Sequence, residues 1–125
     1  MSKAIGKRTW AISGGDIPLV SSGPEPAFTS HDKISILNTD DSDAHLELMV
    51  YYQDCEPAGP YKITVKGRRT CKIWFNDLID PLPVPLNKPF ACVVTADIPV
   101  VIQFSRMDTS SAHKAITGTI AYSCD

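Results

Sequence analysis

The sequence lacks any uninterrupted apolar run that is long enough to cross a bilayer. Its richest apolar stretch, Ile98 to Phe104, contains Pro99 and Gln103 and is only strand length, whereas a membrane-spanning helix needs about 20 apolar residues. The N-terminal segment MSKAIGKRTWAIS has basic residues but no apolar core, and a Gly-Gly pair follows it, so it is a poor secretory signal. We therefore expect a cytoplasmic protein that does not insert into a membrane and meets one only through a partner.

Closely spaced cysteines are also missing. Cys55, Cys71, Cys92 and Cys124 stand far apart, without the paired spacing that is typical of zinc sites or redox CxxC motifs. In a reducing compartment we expect free thiols. Cys71 and Cys92 fall on apolar strand faces, whereas Cys55 falls in a turn and Cys124 near the terminus. Cys55 and Cys124 are therefore the expected sites of oxidation.

Motifs of enzyme chemistry are absent as well. The sequence has no GxSxG elbow, P-loop or Rossmann glycine fingerprint. The spacing of His31, His45 and His113 matches no local metal-ligand pattern, and the acidic residues between 40 and 43 form a solvated run in a loop. We expect no metal, no cofactor and no catalysis, and a hydrolase or metal-dependent enzyme is only the third alternative.

An excess of charge of either sign is missing too. The formal net charge of -2 argues against a nucleic-acid binder, whose affinity rests on a basic surface. The densest basic cluster is Lys66, Arg68, Arg69 and Lys72, in and beside a turn. This cluster is either a solvated strand edge that discourages aggregation or a patch that docks an anionic ligand or a partner.

What the sequence does contain is a pattern of short strands. In a chain of 125 residues, 43% hydrophobic and 21% charged, we expect one globular domain that spans residues 1-125. Apolar and polar residues alternate from Ala44 to Gln53, which predicts a half-buried antiparallel strand. Similar alternation from Tyr61 to Lys66 and from Cys71 to Asn76, around Gly67 and Arg68, predicts a hairpin.

Other segments complete an all-β pattern. Further strands are expected at Arg8 to Ser13, Lys33 to Asn38, Phe90 to Ala96, Val100 to Arg106 and Thr117 to Ser123, with a helical turn at Thr109 to Ala115 and an extended proline-rich loop at Asp80 to Pro89. About eight short strands favour a single-domain antiparallel β-sandwich, a jelly-roll-like barrel.

Polar and aromatic side chains form a candidate binding set. Flat rings beside amide, carboxylate and guanidinium groups suit polyhydroxylated ligands, which need directional hydrogen bonds and a stacking surface. The same groups also suit loop anchoring, above all at Asn76 and Asp77, where a strand ends. The candidate ligand- or partner-binding residues are Trp10, His31, Asn38, Glu56, Arg69, Trp74, Asn76, Asp77 and Arg106.

An ordered series of motifs covers nearly the whole chain. These motifs are Ile5-Gly6, Trp10-Ala11-Ile12, GPEPAFTSH from Gly23 to His31, Ile36 to Asn38, Asp43 to His45, Tyr51-Tyr52, EPAGPY from Glu56 to Tyr61, RRT from Arg68 to Thr70, FNDL from Phe75 to Leu78 and TIAY from Thr119 to Tyr122. With them the chain closely resembles the family of small soluble sensory rhodopsin transducers. The resemblance implies a cytoplasmic β-sandwich that assembles as a homotetramer and relays a signal from a membrane photoreceptor.

The resemblance and the residues together leave alternatives open. The leading interpretation is a non-catalytic signal-transduction protein that acts through contacts with a sensory rhodopsin-like membrane receptor or a downstream regulator. The family fold is similar to sugar-binding sandwiches, so the alternative is a sensor domain for a small polar, sugar-like ligand. A sensor needs a pocket lined by Trp10, His31, Asn76 or Arg106, whereas an adaptor needs an exposed patch.

Overall fold

A computed structural model describes residues 4–17, 31–108 and 115–124 of the chain, with the backbone alone for 108 and 115–120. Strands dominate these residues, and a 3-10 turn at Phe75–Asp77 is the helical element among them. The strands are β1 (Lys7–Gly15), β2 (His31–Asn38), β3 (Ala44–Tyr52), β4 (Ala58–Val65), β5 (Arg69–Trp74), β6 (Phe90–Asp108), β7 (Ala115–Ile120) and the two-residue β8 (Tyr122–Ser123).

The strands form two antiparallel sheets that share β6. Sheet A has the order β4-β3-β6-β1-β8, and sheet B consists of β5, β2, β6 and β7, with β2 between β5 and β6. The predicted antiparallel β-sandwich is confirmed. The sheet is not closed into a barrel, so the barrel part of the expectation is wrong: β4 and β5 are edge strands that pair only with β3 and β2 within the described residues.

One strand takes the place of two predicted ones. The segments Phe90 to Ala96 and Val100 to Arg106 belong to the single 19-residue strand β6. Its first half pairs with β1 and β3, and beyond Pro99 its second half pairs with β2. Proline has no amide hydrogen to give to a ladder, and Pro99 lies where β6 passes from one sheet to the other. The break in the sequence pattern therefore marks a change of sheet and not the end of a strand.

The predicted hairpin between β4 and β5 is wrong. These strands lie in different sheets, because β4 pairs with β3 and β5 pairs with β2. The turn between them is bonded to the acidic loop: Gly67 N donates to Asp43 Oδ1 at 2.9 Å, and Arg68 N donates to Asp40 O at 2.9 Å. Arg68 has a φ of 58°, and a Cβ on Gly67 would lie 2.2 Å from Asp41 O. These contacts direct the chain across the sandwich.

The core lies between the sheets and follows the predicted alternation. In β3, Ala44, Leu46, Leu48 and Val50 are each at most 1% exposed, and the residues between them face outward. Burying a large aliphatic side chain contributes roughly 1.5 to 3 kcal/mol. This row therefore fixes the register of β3, since a slip by one residue would turn it toward water.

The proline-rich loop is pinned to this core. The segment between the 3-10 turn and β6 contains no strand, as predicted. Val84 is buried, the Tyr61 hydroxyl donates to Leu82 O, and Asn87 N donates to Ile17 O at 2.7 Å. The loop is therefore held against the sandwich at several points. The predicted helical turn lies outside the described residues, apart from Ala115, which begins β7.

Candidate functional site

Antiparallel register brings His31 and Trp74 together at one end of sheet B. The first residue of β2 lies beside the end of β5, where Lys33 pairs with Trp74. The imidazole and indole rings stack with their centroids 3.6 Å apart and their planes at 5°. His31 is buried, whereas Trp74 is partly exposed. One face of the indole is thus covered by His31, and the stack is a preformed aromatic surface.

Next to this stack, Asp32 and Arg106 form a two-pronged ion pair. The two residues face each other in the β2–β6 register. Arg106 Nε donates to Asp32 Oδ1 at 2.8 Å, and Arg106 Nη2 donates to Asp32 Oδ2 at 3.2 Å. Asp32 also accepts a bond from Asp16 N, and Arg106 Nη2 also donates to Gly14 O, both at 2.8 Å. This ion pair and its two backbone hydrogen bonds thereby join the end of β1 in sheet A to β2 and β6 in sheet B.

Asn76 and Asp77 follow Trp74 in the 3-10 turn. Phe75, which begins the turn, is buried and contacts Phe90, with ring centroids 5.0 Å apart. This aromatic anchor leaves Asn76 partly exposed and Asp77 exposed. We call this part of the molecule the Trp74 end; of the candidate residues, it contains His31, Trp74, Asn76, Asp77 and Arg106.

Trp10 lies elsewhere, where β1 meets the bend of β6. Its ring is buried, and Nε1 donates to Lys7 O at 2.9 Å and to Val100 O at 3.0 Å. A buried indole usually needs a partner for its N–H, and here the backbone provides two. Trp10 therefore joins β1 to the bend of β6 and does not line the Trp74 end.

Asn38 anchors the loop at the opposite end of β2. Its side chain is buried, and Nδ2 donates to the carbonyl oxygens of Ser42 and Val65 at 2.9 and 3.1 Å. Its Oδ1 accepts a bond from Asp40 N at 3.0 Å. These bonds join the acidic loop to the end of β4, so the amide of Asn38 is engaged within the fold.

Arg69 and Glu56 are exposed on separate turns. Arg69 begins β5, pairs in register with Asn38, and donates from Nη1 to Arg68 O at 3.0 Å. Glu56 lies in the turn between β3 and β4. No contact in the described part of the chain joins either residue to the Trp74 end. The candidate set therefore divides into one cluster and several separate positions.

Several titratable groups of the described residues have shifted pKa values. Burial raises the pKa of the Cys92 thiol to about 12, and burial is also the main cause of the raised pKa of Tyr52 and Tyr61. A hydrogen bond to Asp54 raises the pKa of Lys88. Cys92 is a free thiol and buried, as its place on an apolar strand face predicted, and the free thiols Cys55 and Cys124 are exposed.

Three open clefts on the described surface are lined by residues outside the candidate set. One cleft of about 460 Å³ lies on sheet A and is lined by His45, Leu46, Glu47, Lys62, Ile63, Thr64, Thr95, Ala96 and Asp97. Two others, of about 280 and 580 Å³, border the ends of β3 and β4. None of the candidate residues lines these three clefts.

Within the described ranges, no cluster of three or more His, Cys, Asp or Glu residues could hold a metal ion, and no helix is long and apolar enough to cross a membrane.

Asp32 is the member of this site that the candidate set misses. The sequence does carry a signal for it, because Asp32 shares the alternation phase of Ile34, Ile36 and Asn38, all of which are buried. An acidic residue in the inward phase of a strand needs a cation or several donors. That signal predicts a buried carboxylate but does not name Arg106, which is 74 residues away.

Two antiparallel sheets that share one long strand, with polar loops anchored at both ends, define a small β-sandwich protein. The model of the Anabaena sensory rhodopsin transducer family matches residues 5–123, and the chain belongs to this family. The family resemblance of the sequence motifs is thus confirmed.

Solved structures similar to this chain include the following two. The Anabaena sensory rhodopsin transducer shares 50% identity, with 82% of this chain and 99% of that chain covered and a TM-score of 0.76. The crystal structure of Thermotoga maritima 1070 shares 27% identity, with 94% of each chain covered and a TM-score of 0.79. A comparison with curated protein sequences found no match.

Proposed function

We propose that this protein is a non-catalytic signal-transduction protein that relays a signal from a sensory rhodopsin-like membrane receptor through protein–protein contacts. The observation that carries the proposal is membership of the Anabaena sensory rhodopsin transducer family over residues 5–123. The solved transducer at 50% identity, covered over 99% of its chain, supports a common mode of action. Cytoplasmic location and assembly as a homotetramer are part of the same proposal.

The anchored loops give this proposal a physical basis. Partner binding is weakened by the entropy that is lost when loops and side chains become ordered. Here the turn that carries Arg68 and Arg69 is already fixed by bonds to the acidic loop, and Asn38 holds that loop in turn. The Arg69 guanidinium can therefore contact a partner with little further loss of backbone entropy.

The proposal is tested with a microbial sensory rhodopsin reconstituted in lipid vesicles. We expect the protein to sediment with these vesicles and not with rhodopsin-free vesicles of the same lipid. Arg69→Ala should reduce the bound fraction, whereas Gln53→Ala, also an exposed position, should leave it unchanged. Equal sedimentation with both kinds of vesicle, or none with either, would contradict a receptor contact.

The Trp74 end supports a second candidate function, that of a sensor for a small sugar-like ligand. The end that carries the stacked His31 and Trp74 rings also carries the partly exposed Asn76 amide and the exposed Asp77 carboxylate, and polyhydroxylated ligands need such a combination of stacking surface and polar groups. A ligand that binds only the native state raises the melting temperature. A thermal-shift screen against sugars, repeated with Trp74→Ala, tests this role: a shift that the variant abolishes supports it, and no shift with any sugar counts against it.

A further inference from the structure

We propose that the outer edge of β5, with which no strand of the described residues pairs, binds an extended acidic segment of a partner protein as an added β-strand. The inference rests on the proposed function in that it takes a protein as the partner, and it specifies the contact surface and the chemistry of the segment. Strand addition to a sheet edge draws its affinity from main-chain hydrogen bonds and its specificity from the alternating side chains.

The backbone of β5 is suited to such an addition. β5 pairs with β2 at six consecutive positions, from Arg69 to Trp74, without a register shift. No other described strand pairs with β5. In a regular strand, alternate residues direct their N–H and C=O groups away from the existing partner. The edge therefore offers a short, unbroken row of main-chain donors and acceptors.

The edge of sheet A provides an internal comparison. β4 is also an edge strand, but its pairing with β3 has a register shift between Leu48 and Val50. Gly59 and Pro60 lie in the shifted part of β4, and Pro60 lacks a hydrogen for a ladder. Bulges and prolines are devices that protect sheet edges from added strands. β4 carries both, whereas the sequence of β5, RTCKIW, contains no proline.

Basic side chains on β5 and in the turn before it specify the chemistry of the segment. Arg68, Arg69 and Lys72 are exposed, and the ion pairs of the described residues, Lys88–Asp54 and Arg106–Asp32, involve none of them. A cationic edge is complementary to carboxylates in the added strand. The positive charges that oppose pairing of β5 with neutral or basic strands therefore favour pairing with an acidic strand.

The two faces of β5 call for alternating residues in the partner. Cys71 and Ile73 pair with the buried Ile36 and Ile34, so they share the face of the core and are themselves half-buried. Lys72 lies on the other face and is exposed. An added strand would then place apolar residues beside Cys71 and Ile73 and acidic residues beside Lys72, because neighbouring strands match face to face.

A second copy of this chain does not fit the edge well. Antiparallel pairing of β5 with its own copy, centred on Lys72, would place the Lys72 side chains of two molecules opposite each other. Like charges across paired strands destabilise the pair, and no carboxylate of β5 offsets them. The edge therefore favours an acidic partner over self-association.

The test uses an octapeptide of alternating glutamate and valine and the full-length, isotope-labelled protein. We expect peptide binding to slow amide hydrogen exchange at alternate residues of β5. Lys72→Gln should weaken binding by about threefold, as the loss of an exposed charge pair implies. The matched control, Lys62→Gln, removes the same charge from an exposed position outside β5 and should retain the affinity.

Two N-methylated peptides separate strand addition from charge attraction. One carries N-methyl groups on the glutamates and the other on the valines, so their charges are equal. If the peptide adds as a strand, one of the two loses binding, because only alternate N–H groups face β5. The proposal would be overturned by equal binding of both peptides or by protection outside β5. Equal loss of binding in the Lys72 and Lys62 variants, or self-association of the protein through β5, would also overturn it.

The outcome is independent of the receptor experiment. If the protein binds rhodopsin vesicles but not the peptide, the edge proposal fails and the proposed function stands. If it binds the peptide at β5 but no rhodopsin, the edge is an acidic-segment site and the proposed receptor is wrong.

Discussion

Replacing Arg106 with glutamine should destabilise the protein strongly, because it leaves a buried carboxylate without its cation. Asp32 is 0% exposed and keeps only the bond from Asp16 N among those described. Breaking a buried pair costs about 3 to 5 kcal/mol; since the Arg106 side chain is 30% exposed, water can screen part of this, and we expect about 2 to 4 kcal/mol. At roughly 4 °C per kcal/mol for a chain of this size, the melting temperature should fall by about 8 to 16 °C.

A double-mutant cycle measured by urea unfolding separates this effect from a loss of packing. Asp32→Asn with Arg106→Gln removes the orphaned charge, so the double variant should be more stable than Arg106→Gln alone. The interpretation that this ion pair stabilises the fold would be refuted if the melting temperature of Arg106→Gln lay within about 2 °C of that of the parent. It would also be refuted if the losses in free energy of unfolding of the two single variants were fully additive in the double variant. In that case Arg106 would be available chiefly for ligand binding.

Three further outcomes follow from the same contacts. Asn38→Ala should lower the free energy of unfolding by about 2 to 3 kcal/mol, because buried backbone groups lose their partners; urea unfolding measures this, and a loss below about 0.5 kcal/mol contradicts it. Arg69→Ala should leave the melting temperature nearly unchanged, because the side chain is exposed, while it weakens partner binding; a large loss of stability with intact binding would assign Arg69 a structural role. Cys92 ionises less readily in the native state, since its pKa is raised from 9.0 to about 12, so its contribution to stability is present below pH 9 and is lost as the pH rises from 9 toward 12. Cys92→Ala should therefore reduce the dependence of the free energy of unfolding on pH between 9 and 12, measured by urea unfolding. An unchanged dependence on pH contradicts the assignment.

The strands could be predicted where the two faces of a strand differ chemically. In β3, apolar residues from Ala44 to Val50 alternate with polar ones, and burial follows that alternation. The sheet to which a strand belongs could not be predicted in this way. The turn at Gly67 and Arg68 has the length of a hairpin, but bonds to the acidic loop carry the chain to the other sheet. Such contacts depend on residues more than twenty positions away.

The candidate site was predictable only in its residue types. Trp10 and Asn38 have the chemistry of binding residues, but buried contacts with the backbone engage both. His31 and Trp74 meet only because β2 and β5 pair, and no local pattern reveals that pairing. The alternation of β2 does indicate that Asp32 faces inward, so a buried charge could have been inferred from the sequence.

The most direct test of the central claim is whether the state of the receptor changes its affinity for this protein. A relay works only if the partner binds the two receptor states with different free energies. We would titrate the protein into a sensory rhodopsin held in lipid nanodiscs, in the dark and under steady illumination, with empty nanodiscs as the control. Our account predicts specific binding with an affinity that differs between dark and light by about fivefold or more. Binding of equal affinity in both states, or no binding beyond that to empty nanodiscs, would contradict it.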